Sequence, residues 1–349
     1  MSWLVTGGAG FIGSALCHYL AEATDDRIVV IDKLTYAGNR QSLSSLEMDG
    51  RLELIEADIT DFPMMAEIVE KSVPRSIFHL AAETHVDRSI DGPANFVSTN
   101  VAGTCAMLEA ARNYHSGLAD SAKDAFRFVH VSTDEVFGSL GDTGTFSETT
   151  PYAPSSPYSA SKAGADHLVR AWFNTYGLPV IVSNCSNNYG LRQFPEKLIP
   201  LMILKCLSGQ SLPVYGQGLN VRDWLHADDH ARALLLMAQK GEPGETYCVG
   251  GGAERTNIWI VDTICRLMDE RYPENAPHNR LIEYVDDRPG HDYRYAIDAT
   301  KINMSLGWAP SRDFEAGLAE TVDWYLSNEQ WWKPLQDRVY AGERLGSGT

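Results

Sequence analysis

Two side chains in residues 158–162 have the types and spacing needed to remove a proton from a substrate hydroxyl. Tyr158 and Lys162 are four residues apart, so a helix would place both on one face. An ammonium beside a phenol favours the phenolate and lowers a phenol pKa that starts at about 10. Tyr158 could then act as a general base. Surface helices often carry such a pair, so it is informative only together with other motifs.

A second reactive group follows a predicted strand, where Ser132 and Thr133 precede the adjacent acids Asp134 and Glu135. Two carboxylic acids at a cleft can divide acid and base roles if their environments separate their pKa values. Neighbours on a regular strand point to opposite faces. Both acids can therefore reach one ligand only if the chain leaves the strand after Thr133, as Gly138 suggests. A solvated acidic turn is the alternative.

A glycine-rich segment, residues 6–13, follows the first predicted strand and opens a helix. Gly7, Gly10 and Gly13 would allow a tight turn and close approach of backbone N–H groups to a pyrophosphate. Asp32 ends the second strand, 19 residues beyond Gly13, where it can accept a hydrogen bond from a ribose 2′-hydroxyl. It would repel a 2′-phosphate, so the pattern favours NAD over NADP. A structural turn and a loop-starting aspartate are the alternatives.

Acidic and small residues follow the next two predicted strands: Asp58 and Ile59, then Leu80, Ala81 and Ala82. The carboxyl ends of parallel strands line the ligand crevice of a doubly wound sheet. Asp58 could hold the adenine edge, while the two alanines would leave room for a cofactor. Ordinary strand ends are the alternative interpretation.

The elements that must position these groups alternate between buried apolar runs and helical segments. The predicted strands are Trp3–Thr6, Ile28–Ile31, Leu52–Glu56, Ile77–Ala81, Phe128–Val131 and Val180–Ser183. The predicted helices are Phe11–Ala23, Pro63–Lys71, Pro93–Tyr114 and Tyr158–Tyr176. This alternation predicts a Rossmann-type, doubly wound parallel α/β sheet over residues 1–185.

After Cys185 the alternation loosens, and three helices are predicted at Phe194–Leu207, Asp228–Lys240 and Thr256–Arg271. We therefore expect a smaller, mostly helical substrate domain over residues 186–341, with some segments that return to the sheet. Residues 342–349 are small and polar, and we expect a flexible tail there.

The 349 residues carry a formal net charge of −17, from 46 acidic and 29 basic residues. This charge argues against binding to nucleic acid or to anionic membranes, and no stretch approaches the roughly 18 apolar residues of a membrane span. The six cysteines are scattered without metal-ligand spacing, so we expect reduced thiols, no metal site and a cytoplasmic protein. An anionic ligand would need a local basic or dipolar pocket.

Together these motifs resemble those of the extended short-chain dehydrogenase/reductase superfamily and, within it, those of the dTDP-glucose 4,6-dehydratases. The resemblance runs from residue 1 to about residue 335. It rests on residues 32–39, 80–89, 132–136, 158–162, 183–190, 193–198, 221–225 and 287–292. The acids Asp134 and Glu135 distinguish this family from nucleotide-sugar 4-epimerases, which keep the Tyr/Lys pair.

The resemblance implies an NAD-dependent hydro-lyase that converts dTDP-glucose to dTDP-4-dehydro-6-deoxy-glucose and water. It implies that Tyr158, with its pKa lowered by Lys162, takes the C4 hydroxyl proton while Thr133 hydrogen-bonds that oxygen. Glu135 would then remove the C5 proton, and Asp134 would protonate the departing C6 hydroxyl. Hydride would pass from C4 to NAD and return to C6, so the cofactor should stay bound.

The same resemblance implies the ligand contacts and a homodimer formed through the helices near Pro93–Tyr114 and Tyr158–Tyr176. The implied cofactor contacts are Gly7, Gly10, Phe11, Ile12, Gly13, Asp32, Lys33, Leu34, Thr35, Asp58, Ile59, Leu80, Ala81, Ala82, Thr99, Tyr158, Lys162 and Asn188. The implied substrate contacts are Thr84, Thr133, Asn187, Lys197, Leu198, Pro213, Val214, Tyr215, Arg222, Asn257, Asp287, Arg288, Pro289, Gly290 and His291. Arg222 and Arg288 could grip a diphosphate; ion pairs with Asp223 or Asp287 are the alternative.

Three departures from the family pattern concern substrate preference. Phe137 stands where the family usually has Tyr, Gly164 where it has Ala, and Leu191-Arg192 where it has Pro-Tyr. The competing functions are another nucleotide-sugar 4,6-dehydratase, a 4-epimerase, or a non-catalytic NAD-sensing protein on the same fold. The intact catalytic set argues against the sensor.

Overall fold

The structure is a computed structural model that describes residues 1–287 and 290–338. The tail predicted over 342–349 and the predicted substrate contacts Arg288 and Pro289 lie outside the described residues.

The strands are β1 (Ser2–Thr6), β2 (Arg27–Asp32), β3 (Leu52–Glu56), β4 (Pro74–His79), β5 (Arg127–Thr133), β6 (Val180–Cys185), β7 (Asn187–Tyr189), β8 (Leu212–Tyr215), β9 (Val221–His226), β10 (Thr246–Val249), β11 (Glu254–Thr256) and β12 (Ile282–Val285). The α-helices are α1 (Phe11–Ala23), α2 (Ser44–Met48), α3 (Phe62–Ser72), α4 (Val86–Asp91), α5 (Pro93–Phe96), α6 (Thr104–Gly117), α7 (Asp120–Ala125), α8 (Pro157–Tyr176), α9 (Leu198–Ser208), α10 (Ala227–Lys240), α11 (Asn257–Arg271), α12 (Thr300–Leu306), α13 (Phe314–Ser327) and α14 (Glu329–Arg338). Short 3₁₀ helices span Arg40–Leu43, Asp134–Phe137, Pro273–Asn275 and His278–Leu281, and a π-helix spans Val97–Gly103.

Seven parallel strands form the main sheet in the order β10-β6-β5-β4-β1-β2-β3. Side chains of α1 and α10 pack in the apolar core on one face, and those of α3, α6 and α8 pack in the core on the other. Both faces are covered, which is why central strands such as β1 and β2 are continuous apolar runs without alternation. The predicted doubly wound fold is confirmed.

Residues after Cys185 form a smaller layer with its own apolar core, to which α9, α11 and α13 contribute. Two small sheets, β11-β9-β7 and β12-β8, accompany these helices. One strand of this region, β10, returns to the main sheet and pairs with β6. The division into domains at residue 185 stays a prediction. In the part of the chain that the structure describes, no helix has the length and apolar character needed to cross a membrane.

Three predicted elements were wrong at their boundaries, and each error lies beside the ligand clefts. Strand β4 ends at His79, so Leu80 and Ala81 lie beyond it. The long helix predicted over Pro93–Tyr114 is divided by the π-helix, where a side chain on Gly103 would collide with Ile59. Helix α9 begins at Leu198, four residues later than predicted.

Candidate active site

Two adjoining clefts open at the carboxyl ends of the main strands, where a doubly wound sheet binds its ligands. The first has a volume of about 290 Å³ and the second of about 430 Å³. They share the lining residues Thr84, Glu135, Asn187, Asn188, Gln193, Glu196 and Lys197. A ligand in one cleft would therefore lie beside a ligand in the other.

The glycine-rich turn at the floor of the first cleft leaves no room for side chains. Gly7 has a φ of +71°, and a Cβ there would lie 2.7 Å from the backbone nitrogen of Ala81. A Cβ on Gly13 would lie 2.1 Å from the carbonyl oxygen of Gly7. The turn therefore packs directly against α1 and the end of β4. Bare backbone at a helix N-terminus fits the pyrophosphate of a dinucleotide.

Asp32 is buried at the end of β2 and faces the same cleft. Its Oδ2 accepts a hydrogen bond from the Ala9 N–H (2.9 Å), and its Oδ1 accepts one from the Leu34 N–H (2.8 Å). Burial raises the pKa of this carboxyl, and the two backbone hydrogen bonds act in the opposite direction. The carboxylate is thus fixed in orientation, as recognition of a ribose hydroxyl requires.

Nearly all the predicted cofactor contacts line the first cleft. The lining includes Gly7, Gly10, Phe11, Ile12, Gly13, Asp32, Lys33, Thr35, Asp58, Ile59, Leu80, Ala81, Ala82, Thr99, Tyr158, Lys162 and Asn188. Leu34 is the exception, since its contribution is the backbone bond to Asp32. At the cleft mouth, Lys33 Nζ lies 2.5 Å from Asp58 Oδ2, so Asp58 pairs with a lysine there.

Helix α8 carries Tyr158 and Lys162 into the first cleft. The helix begins with a reciprocal capping box between Ser156 and Ser159, which fixes its first turn and hence the place of Tyr158. The Lys162 Nζ donates a hydrogen bond to the carbonyl oxygen of Val131 (2.8 Å), on the neighbouring β5. Both side chains are buried, and both lie on the helix face that lines the first cleft.

The pKa of Tyr158 departs from the sequence-based expectation. Burial, followed by the charge of Glu135, raises it well above 10. A hydrogen bond with Thr133 acts in the opposite direction. The spacing of Tyr158 and Lys162 indicates a nearby ammonium, but it does not reveal the free-energy cost of burying a phenolate.

The end of β5 places the two acids differently. After Thr133 the chain turns into a 3₁₀ helix, and the Thr133 Oγ1 accepts a hydrogen bond from the Glu135 N–H (3.3 Å). Glu135 lines both clefts, whereas Asp134 is buried and lines neither of them. Burial, followed by the charges of Glu135 and Asp223, raises the pKa of Asp134 well above its usual value. The predicted departure from the strand is present, but the acids face different environments.

The second cleft collects most of the predicted substrate contacts. Its lining includes Thr84, Asn187, Lys197, Leu198, Pro213, Val214, Tyr215, Arg222, Asn257 and His291. Thr133 lines the first cleft instead, and Asp287 and Gly290 line neither. The Asp287 Oδ1 lies 2.6 Å from the His291 Nδ1, so Asp287 contacts a lining residue.

The guanidinium of Arg222 is the buried cation of the second cleft. It donates a hydrogen bond to the carbonyl oxygen of Asp292 (2.9 Å) and stacks on the ring of Tyr295, 4.3 Å from its centroid. The neighbouring carboxylate of Asp223 accepts a hydrogen bond from the Ala253 N–H (2.8 Å). Backbone and ring contacts thus orient Arg222, and a fixed guanidinium suits a diphosphate.

Arg88, Glu196 and Tyr36 form a cluster that was not predicted, and Glu196 lines both clefts. The Arg88 Nε donates a hydrogen bond to the Glu196 Oε2 (2.9 Å), and the Arg88 guanidinium stacks over Tyr36 at 4.1 Å. Arg88 and Glu196 are 108 residues apart, so no local pattern pairs them. The motifs at 80–89 and 193–198, which carry the two residues, were the available signal.

The departures from the family pattern have modest structural effects. Phe137 packs against Phe146 with 5.2 Å between ring centroids, in a buried aromatic cluster. A Cβ on Gly164 would lie 3.4 Å from the Val101 side chain, so alanine would nearly fit. Arg192 has a φ of +63°, a backbone strain at the site of the unusual Leu-Arg pair.

Within residues 1–287 and 290–338, no group of three or more His, Cys, Asp or Glu side chains is arranged to hold a metal ion. The absence of a metal remains a prediction. All six cysteines are free thiols, and five of them are buried.

Comparison with known proteins identifies the family. The family model described as GDP-mannose 4,6 dehydratase matches residues 4–321. A dTDP-glucose 4,6-dehydratase of Escherichia coli is 55% identical over 359 residues, covering 99% of each chain. The structure of a Streptomyces venezuelae dTDP-glucose 4,6-dehydratase with NAD bound has a TM-score of 0.88 at 44% identity, covering 96% of this chain and 100% of that one. A Bacillus anthracis dTDP-glucose 4,6-dehydratase in complex with NAD has a TM-score of 0.85 at 45% identity, covering 96% and 99%. Sequence, fold and cleft geometry therefore agree that this chain belongs to the dTDP-glucose 4,6-dehydratase family.

Proposed function

We propose that the protein converts dTDP-glucose to dTDP-4-dehydro-6-deoxy-glucose and water, as an NAD-dependent hydro-lyase. The observation that carries this function is that Tyr158, Thr133 and Glu135 meet where a dinucleotide cleft adjoins a second cleft. The second cleft contains a buried guanidinium, Arg222, which suits the diphosphate of a nucleotide sugar. The sugar would then lie at the boundary between the clefts.

NAD, when bound in the first cleft, supplies an acceptor for the C4 hydride and returns hydride to C6. The residues that would hold it are Gly7, Gly10 and Gly13 at the pyrophosphate and Asp32 at the ribose. The cofactor is regenerated in each cycle, so we expect the purified protein to retain it.

Tyr158 takes the proton from the C4 hydroxyl in this proposal, and Thr133 orients the same oxygen. Because burial raises the pKa of Tyr158, the phenol needs nearby positive charge to act as a base at neutral pH. Lys162, one helical turn further along α8 and also buried, provides that charge.

Glu135 serves as the base for the C5 proton, since its carboxylate reaches the boundary of the clefts. Asp134 serves as the acid for the departing C6 hydroxyl. Burial raises its pKa well above the usual value, which favours the protonated form that an acid requires. Its Oδ1 lies 3.4 Å from the Oγ1 of Thr133, which lines the first cleft. Two adjacent acids with different burial thus divide the roles.

The decisive experiment incubates the purified protein with dTDP-glucose in D₂O, without added NAD. We expect a product that has lost one water. It should carry one solvent deuterium at C5, the carbon from which Glu135 removes a proton. UDP-glucose and GDP-mannose, assayed in parallel, test the nucleotide preference. An isomer of unchanged mass would indicate a 4-epimerase, and unchanged substrate with all three sugars would refute a dehydratase.

We also propose a homodimer in the cytoplasm. Val97 on the π-helix and Tyr176 at the end of α8 are 55% and 50% exposed, and such apolar side chains on the predicted dimer helices support an interface. Six free cysteines support a reducing compartment. Light scattering of the purified protein measures the oligomeric state; a monomer at micromolar concentration would contradict the dimer.

A further inference from the structure

A buried carboxylate lies behind the proposed catalytic pair. Asp166 is on α8, four residues beyond Lys162, and it is fully buried. Its Oδ2 accepts hydrogen bonds from Ser132 Oγ (2.8 Å), Tyr152 OH (2.8 Å) and Asn184 Nδ2 (3.3 Å), while its Oδ1 lies 3.1 Å from His130 Nε2. It lines neither cleft. Four partners match the roughly four acceptor sites of an ionised carboxylate, so this buried anion is fully hydrogen-bonded.

These partners fix the end of β5. His130 and Ser132 bond to Asp166, and the carbonyl oxygen of Val131 between them accepts the hydrogen bond from Lys162. The Asn184 amide bonds to Asp166 and also donates to the carbonyl oxygen of Thr133 (3.1 Å). The carboxylate therefore connects α8 to two residues of β5, His130 and Ser132, and through Asn184 to Thr133, which hydrogen-bonds Tyr158.

The same carboxylate faces Lys162 in a setting that disfavours charge. Burial lowers the pKa of the Lys162 ammonium, and the charge of Asp166 is the leading influence that raises it. The Cys185 thiol also faces Lys162, but burial raises its pKa to about 12, so it is neutral. His130 is neutral too, because burial lowers its pKa to about 4. Asp166 is thus the anion that opposes the burial of Lys162.

The remaining charged and titratable groups around this pair do not replace Asp166. His79 of β4 stacks on His130 with 5.4 Å between centroids, and burial lowers its pKa well below 6.5. Arg170 of α8 donates to the Tyr152 hydroxyl (2.6 Å), which in turn donates to Asp166. Burial acts to raise the pKa of Asp166, but hydrogen bonds from His130 and Tyr152 together with the charge of Lys162 outweigh it and lower that pKa, so Asp166 is ionised at neutral pH.

We propose that Asp166 is a positioning residue for the dehydration reaction: its carboxylate keeps the Lys162 ammonium charged and holds the end of β5 that presents Thr133 to Tyr158. This inference rests on the proposed function, because it acts through the same catalytic pair. The motif Tyr158, Lys162, Asp166 is then one continuous helix face with three successive roles.

The test measures kcat against pH for the wild-type holoenzyme and for Asp166→Asn, which keeps the shape of the side chain but removes the charge. Loss of the anion favours loss of the Lys162 proton, so the alkaline limb moves to lower pH by about one to three units. Above the shifted limb, kcat falls about tenfold for each unit. The matched control is Tyr152→Phe, which deletes one hydrogen bond to Asp166 but leaves its charge, so its limb should stay within about 0.3 unit of wild type.

Each outcome has a defined meaning. The inference is overturned if the wild type forms product but the alkaline limb of Asp166→Asn is not shifted. It is also overturned if Asp166→Asn and Tyr152→Phe shift that limb equally. No product from the wild type overturns the proposed function instead. If Asp166→Asn does not fold, competitive acetylation of Lys162 in the wild-type holoenzyme decides: an acetylation midpoint below about pH 7 would show an uncharged lysine and refute the proposal.

Discussion

Substituting Gly13 by alanine tests whether the bare backbone of the glycine-rich turn holds the cofactor. The added Cβ would lie 2.1 Å from the carbonyl oxygen of Gly7 and 2.7 Å from the Cα of Gly8. Both neighbours are backbone atoms, so relief requires a shift of about 1 Å between the turn and α1. Helix α1 is held by Leu16 and Leu20 in the core, and overpacking of this kind costs about 1–3 kcal/mol.

The same shift moves the N–H groups that would face the pyrophosphate, and a displacement of about 1 Å can cost about 100-fold in function. We therefore expect Gly13→Ala to lose bound NAD on gel filtration, measured by the ratio of absorbance at 260 and 280 nm, and to unfold at lower urea concentration. Gly117→Ala is the control: it lies at the end of α6, and a Cβ there meets nothing within 4 Å. Equal cofactor content and equal unfolding midpoints in the two variants would refute the reasoning.

Three further predictions concern single carboxylates. Glu135→Gln should lower kcat by about 10²- to 10⁴-fold and abolish deuterium uptake from D₂O, with cofactor content unchanged; full activity would contradict its role as the base. Asp32→Ala should shift the NAD/NADP affinity ratio toward NADP by about tenfold or more in cofactor-reconstitution assays, since a 2′-phosphate is no longer repelled; an unchanged ratio would assign Asp32 a purely structural role. Burial raises the pKa of Asp223 to about 6, so between about pH 4 and 6 the native state binds more protons than the unfolded chain and loses stability as pH rises. Asparagine does not titrate, so as pH rises from about 4.5 to 7 the unfolding free energy of Asp223→Asn should fall by about 2 kcal/mol less than that of wild type in urea titrations. The same pH dependence of unfolding free energy in both proteins would contradict this.

The features that the sequence predicted well are those with local causes. Strands such as β1 and β2 are buried on both faces, so their apolar runs identify them without information from the rest of the chain. The glycine turn and the Tyr158–Lys162 spacing also need only a few consecutive residues. These local signals sufficed to predict the doubly wound sheet, whereas the contacts of the second cleft were predicted from the family resemblance.

The features that escaped prediction depend on contacts between distant segments. The pairing of Arg88 with Glu196 joins residues 108 positions apart, and neither neighbourhood indicates the other. The adjacency of Asp134 and Glu135 says nothing about burial, which the turn after Thr133 decides. The raised pKa of Tyr158 likewise follows from packing around the hydroxyl and not from its spacing to a lysine.

The return of β10 to the main sheet limits how this protein can be truncated or recombined with its homologues. A fragment that ended at Cys185 would leave β6 as an exposed edge strand and would strip α10 from the face that α1 also covers. Exposed edges invite aggregation. A chimera joined at Cys185 would combine strands of one sheet from two different proteins. Substrate specificity should therefore be exchanged between homologues by grafting the loops around the second cleft. The residues after Cys185 thus contribute a strand that completes the main sheet.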